Sequence, residues 1–108
     1  MKLILHELAC KEFRDGMLFY DDQESGLGVD FIDEMNKGFK QIGKHPEAWP
    51  LIDEGIRAYQ IKRFGFRIIY CVTPDEVIVL AVCHCARQPR YWIDRLEKST
   101  TDIPRLRD

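Results

Sequence analysis

At 108 residues and 45% hydrophobic content, the chain suits one compact domain with a single modest core, so one domain must carry the whole function. Its longest apolar run, around residues 77–85, falls far short of the ~20 residues that cross a bilayer, which excludes a spanning helix. The net charge of −2 hides a polarity: residues 1–54 carry −6 and residues 55–98 carry +4, as expected of a surface that meets an anionic partner, or of an ordinary solvated sheet edge.

The opening Met-Lys-Leu-Ile-Leu-His-Glu starts like a signal peptide, but its apolar stretch is only three residues long and an acid follows. It reads as an edge of the fold, and the expected localisation is cytoplasmic. Residues 2–6, rich in Leu and Ile, suit a first strand. Over residues 8–24, Ala9, Phe13, Met17 and Tyr20 share one helical face. Ser25-Gly26-Leu27-Gly28 breaks that helix, with Gly26 suited to a left-handed C-cap. Phe31, Met35, Phe39 and Ile42 mark a second helix over residues 29–44, giving an αα-hairpin whose apolar stripes need a sheet.

His45-Pro46 ends the second helix, and Trp49-Pro50 prolongs the loop. The period then changes. Residues 56–62, 66–72 and 76–85 are β-branched or aromatic runs separated by Arg63-Phe64-Gly65 and Thr73-Pro74-Asp75, which predicts a three-stranded meander. Residues 90–98 suit a short closing helix, and the polar tail 99–108 is expected to fray, leaving residues 1–98 as the single domain. The order β-α-α-β-β-β-α makes an α+β domain, with helices on one face of a mainly antiparallel sheet. The four cysteines, at 10, 71, 83 and 85, lack the spacing of a disulfide scaffold and read as reduced thiols. Cys83-His84-Cys85 invites a zinc reading, but with His84 on the opposite side from the two thiols and no second ligand pair it falls short of a tetrahedral set. No cofactor is implied.

This order of elements, together with several local signatures, resembles the RelE/ParE toxins over residues 3–97. The carriers are Tyr20 near the end of the first helix, Gly26-Leu27-Gly28 followed by Phe31 and Glu34, and Ile42 and Pro46 before Trp49-Pro50. Arg57, the segment Phe64-Gly65-Phe66-Arg67-Ile68-Ile69-Tyr70, and Val82 to Pro89 running into Tyr91-Trp92 and Arg95 complete the set. The resemblance implies a toxin neutralised by a cognate antitoxin, whose C-terminal segment wraps around it and covers its working surface. It leaves room for a homodimer within the toxin–antitoxin complex. RNA-cutting members of that family present a concave basic sheet face to mRNA in the ribosomal A site, whereas gyrase-directed members act by protein–protein contact.

Metal-free RNA cleavage, in which the ribose 2′-OH attacks the adjacent phosphorus, needs a base, a cation for the phosphorane and an acid for the leaving 5′ oxygen. Arg67 stands where RNA-cutting relatives keep an arginine, and a guanidinium suits bidentate phosphate contact; its other reading is a salt bridge. His84 is the histidine expected beside it as base or acid, or else a hydrogen-bonding residue at a strand end. Arg87 and Arg90 suit phosphate or an acidic antitoxin, with Arg57, Lys62 and Arg63 as further RNA or antitoxin contacts. Tyr91 suits stacking on a base, or anchoring the last helix. One departure is Cys85, which stands about where ribosome-dependent nucleases carry a basic residue. Pro89 followed by Tyr91-Trp92 looks more like the ParE and plasmid-stabilisation branch. The sequence therefore carries three functions side by side: an mRNA endoribonuclease using Arg67, His84, Arg87 and Tyr91, an inhibitor of gyrase by contact, and an inactive toxin that only binds its antitoxin.

Overall fold

The computed structural model describes residues 1–96. Strand β1 (Lys2–Leu5) leads directly into α1 (Glu7–Gln23), where His6 caps the start by accepting a bond from the Leu8 amide at 3.1 Å. The expected stripe is the buried one: Ala9 is fully buried, and Phe13, Met17 and Tyr20 pack against the core. Helix α2 (Leu27–Lys44) buries Phe31, Met35 and Ile42. Gly26 adopts the expected positive φ, +92°, but as the N-cap of α2; the end of α1 is Glu24, in extended conformation. The Asp21 carboxylate fixes this turn, accepting from the amides of Gly26 at 3.0 Å and Gly28 at 3.3 Å.

Four strands follow: β2 (Leu51–Asp53), β3 (Ile56–Ile61), β4 (Phe66–Val72) and β5 (Glu76–His84). The five-stranded sheet has the order β1-β5-β4-β3-β2, parallel between β1 and β5 and antiparallel elsewhere. The meander therefore has one strand more than expected, because β2 lies where only a loop was read. Three residues after a proline are too short to show a period.

The pairing of β4 with β5 positions the functional side chains. Tyr70 pairs with Val79, but Ile69 pairs with Ala81, so Leu80 is an extra residue on β5. Such a bulge inverts the alternation of everything beyond it. Val77 and Val79 join the core under the helices, Leu80 and Ala81 both join the opposite core, and Val82 returns to the helix side. The register that results sets Phe66 against His84 and Arg67 against Cys83.

Both faces of the sheet are covered. The helices roof one face over Ile68, Tyr70 and Val79. On the other face, Trp92 is 2% exposed among Ile56, Ala58, Ile69 and Leu80, with Tyr91, Ile93 and Leu96 packed beside it. Residues 93–96 are helical, whereas residues 90–92 of the expected closing helix are turns; its last two residues, 97 and 98, and the tail lie outside the described residues.

Candidate functional site

Arg67 and His84 do not meet. Alternation along β4 and the register across β5 put Arg67 on the face away from the helices, while His84 stands beside Phe66 on the helix side, their rings 5.6 Å apart and perpendicular. Had β5 run without its bulge, Arg67 would pair with Val82, and His84 would share its face. The pairing of Arg67 with His84 as cation and base is thus undone by one inserted residue.

Two clefts result. The first, about 300 Å³, lies between α1 and the free end of β5 and is lined by Glu12, Asp15, Phe19, Phe66, His84 and Arg87, among others. His84 accepts the Ala86 amide at Nδ1 over 3.0 Å. Phe19 is 58% exposed at this cleft. The second cleft, about 380 Å³, is lined from both faces of the sheet, by Trp49 and Tyr59 of the helix side and by Arg67 of the other, with Ile52 and Lys62 among the rest.

Tyr91 is held in a network built on Glu12. Where β1 ends, β5 continues with no strand beside it among the described residues, and the Glu12 carboxylate reaches over from α1 to accept the Val82 amide at 3.0 Å. The same carboxylate accepts the Tyr91 hydroxyl at 2.6 Å and both terminal nitrogens of Arg95 at 2.9 Å, and Arg95 also donates to the Leu80 carbonyl at 3.0 Å. Arg87 stacks on the Tyr91 ring, 3.8 Å from its centre. Burial, reinforced by the bond to Glu12, pushes the Tyr91 phenol well above its ordinary value, so it holds its proton at neutral pH. Tyr91 therefore fastens the C-terminal segment to the sheet, with one ring face already occupied by Arg87. Glu12 was missed in the sequence: one acid on the polar side of an amphipathic helix carries no signal of what it will reach.

The remaining cations are spread out. Arg57 donates to the Trp49 carbonyl at 2.7 Å, which ties the loop before β2 to β3. Arg63 pairs with Asp30 at 2.9 Å on the surface. Arg90, at a positive φ of 63°, pairs with Asp53 at the end of β2. Lys62 and Arg67 have no ion pair among the described residues. Burial raises the Cys83 thiol, and no group of three His, Cys, Asp or Glu side chains among the described residues is placed to hold a metal ion.

The family model for the ParE toxin of type II toxin–antitoxin systems, parDE, matches residues 3–89. The chain belongs to the ParE toxin family. It is a toxin of a ParDE/RelE-type toxin–antitoxin system, and that membership implies an antitoxin partner. Solved structures agree on the fold. The chromosomal ParDE system of P. aeruginosa matches with a TM-score of 0.69 at 15% identity, over 78% of this toxin and 95% of that chain. The isolated RelE toxin of E. coli matches with a TM-score of 0.60 at 21% identity, over 91% of this toxin and 97% of that chain. No curated protein matches in sequence. No helix of the described residues is long and apolar enough to cross a membrane.

Proposed function

We propose that this toxin arrests growth from within the cytoplasm by protein–protein contact, with DNA gyrase as its target, and that its antitoxin silences it by covering the contact surface. The observation that carries this reading is the separation of Arg67 from His84 by the sheet. In-line attack needs the base and the phosphorane's cation around a single phosphate, with reacting atoms about 3 Å apart, and groups on opposite faces cannot share one. Tyr91 offers no replacement, since its hydroxyl proton is committed to Glu12. Membership of the ParE family supports the same direction.

A second reading, ribosome-dependent mRNA cleavage, has one observation in its favour: His84 and Arg87 line the same cleft, an imidazole and an exposed guanidinium together. Purified toxin added to a gyrase supercoiling assay separates the two. Loss of supercoiling at stoichiometric toxin, restored by the antitoxin, is the expected result. Full supercoiling at a large excess, with cut transcripts in arrested cells, would overturn the proposal in favour of the nuclease. Harmless overexpression would leave only antitoxin binding.

A further inference from the structure

Two of the four thiols, Cys83 and Cys85, share the non-helical face of the sheet at the end of β5. Gln60 pairs with Arg67 across β3 and β4, and Arg67 pairs with Cys83 across β4 and β5, so these three side chains form one row. The Gln60 side-chain amide also donates to the Cys85 sulfur at 3.1 Å, which brings Cys85 to the same row. The two thiols are near enough that Cys85 acts on Cys83 electrostatically, as Arg67 does. Their access to solvent differs sharply: Cys83 is 3% exposed, whereas Cys85 is open to solvent. Residues two apart on a strand lie about 6.6 Å apart at Cα, near the top of the ~4.4–6.8 Å range that disulfides span. Strand β5 ends at His84 and the chain turns at once, the Arg87 amide returning to the His84 carbonyl at 3.0 Å. Cys85 already stands in that turn, so a bend at His84 is all that separates the two sulfurs from bonding distance.

We infer that Cys83 and Cys85 are a peroxide-responsive thiol pair, in which the exposed Cys85 takes the oxidant and the buried Cys83 then closes a disulfide across His84. The Cys85 thiolate attacks one oxygen of hydrogen peroxide, the O–O bond breaks, and the departing hydroxide takes up a proton as water, leaving a sulfenic acid. The Cys83 thiolate attacks that sulfur, the S–O bond breaks, and a second water leaves with the remaining proton. Two thiols and one peroxide thus become one disulfide and two waters, with two electrons passing from sulfur to oxygen. The surroundings fit this order of events. Burial raises the Cys83 thiol and shields it from the oxidant, while the Arg67 charge beside it opposes that rise and favours the thiolate that must attack second. A disulfide over so short a loop is strained and therefore easily reduced, as a reversible site requires. Closing it bends the chain at His84, so the imidazole leaves its place beside Phe66. The inference does not depend on which target the toxin meets.

The test treats the whole purified chain with equimolar hydrogen peroxide, blocks the remaining thiols with iodoacetamide and maps them by mass spectrometry. The expected product has lost two hydrogens, joins Cys83 to Cys85 within one chain, keeps Cys10 and Cys71 open to alkylation, and returns to four free thiols with dithiothreitol. In Cys83→Ala, which keeps a small apolar side chain at the buried position, Cys85 should instead accumulate as the sulfenic acid and be trapped by dimedone. Cys85→Ala changes an exposed side chain and so preserves the fold; it should form no bridge and leave Cys83 reduced. The His84 imidazole signals in the NMR spectrum should shift on oxidation of the native chain, return on reduction, and stay in place in Cys85→Ala. A bridge joining two chains, sulfinic acid at Cys85 formed as fast in the native chain as in Cys83→Ala, or a Cys83–Cys85 pair that peroxide leaves untouched would each overturn the inference.

Discussion

Two arginines on the non-helical side of the sheet, Arg95 beside β5 and Arg67 on β4, do opposite things. Arg95 is nearly enclosed, its side chain 11% exposed against 16% for Glu12, and its terminal nitrogens are met by that carboxylate and by the Leu80 carbonyl. Arg67 lines a cleft with its Nε unmet and no acid opposite. A buried charge that is fully bonded holds a structure together, whereas one left partly unbonded costs stability. Residue type and position in the chain do not separate these roles; the surroundings do.

The comparison breaks first at Arg95. Replacing it with Met leaves the Glu12 carboxylate buried without its cation, and urea unfolding should show a loss of about 3 kcal/mol. Glu12→Ala should cost a similar amount, since it also orphans the Val82 amide and frees the Tyr91 hydroxyl. A smaller effect belongs to the helix side. A Cβ on Gly16 would stand 2.6 Å from the Phe31 ring, and that ring is wedged among Tyr20, Phe64 and Phe66, so Gly16→Ala should lower stability by about 2 kcal/mol in thermal unfolding.

Alkaline titration probes the same interior. Burial raises the Tyr70 phenol from 10.0 to about 12, partly opposed by the nearby Arg57 charge. Folding therefore favours the protonated phenol, and the stability it contributes is present below pH 10 and lost as pH rises through about 12. Unfolding measured across that window should steepen in the native chain and flatten in Tyr70→Phe, at the expense of the 2.7 Å bond from the Tyr70 hydroxyl to the Pro46 carbonyl. The smallest change should come at Arg67. Arg67→Met removes an unmet buried donor, so stability should stay within about 0.5 kcal/mol or rise, in contrast to Arg95→Met. A loss at Arg67 as large as that at Arg95 would erase the distinction between the two.

Much of the scaffold was legible because it is written in local periods. The spacing of Ala9, Phe13, Met17 and Tyr20, and of Phe31, Met35 and Ile42, marks both helices, and Gly26 announces its positive φ. Strand β2 was not legible, being three residues that borrow their conformation from β3. The bulge at Leu80 was hidden for a different reason: it sits inside an unbroken apolar run where either register buries apolar side chains. That one residue decides which face His84 takes, so the site could not be assembled from the sequence although its members were named. Arg90 likewise meets Asp53 only because the chain after β5 reaches the far edge of the sheet.

Transcripts mapped by primer extension at the moment of growth arrest put the account to its most direct test. Intact mRNA in cells halted by the native toxin, and equally in cells halted by His84→Ala, is the outcome that follows from Arg67 and His84 facing opposite sides of the sheet. New cleavage ends in ribosome-bound mRNA that disappear with a folded His84→Ala or Arg67→Ala chain would contradict it.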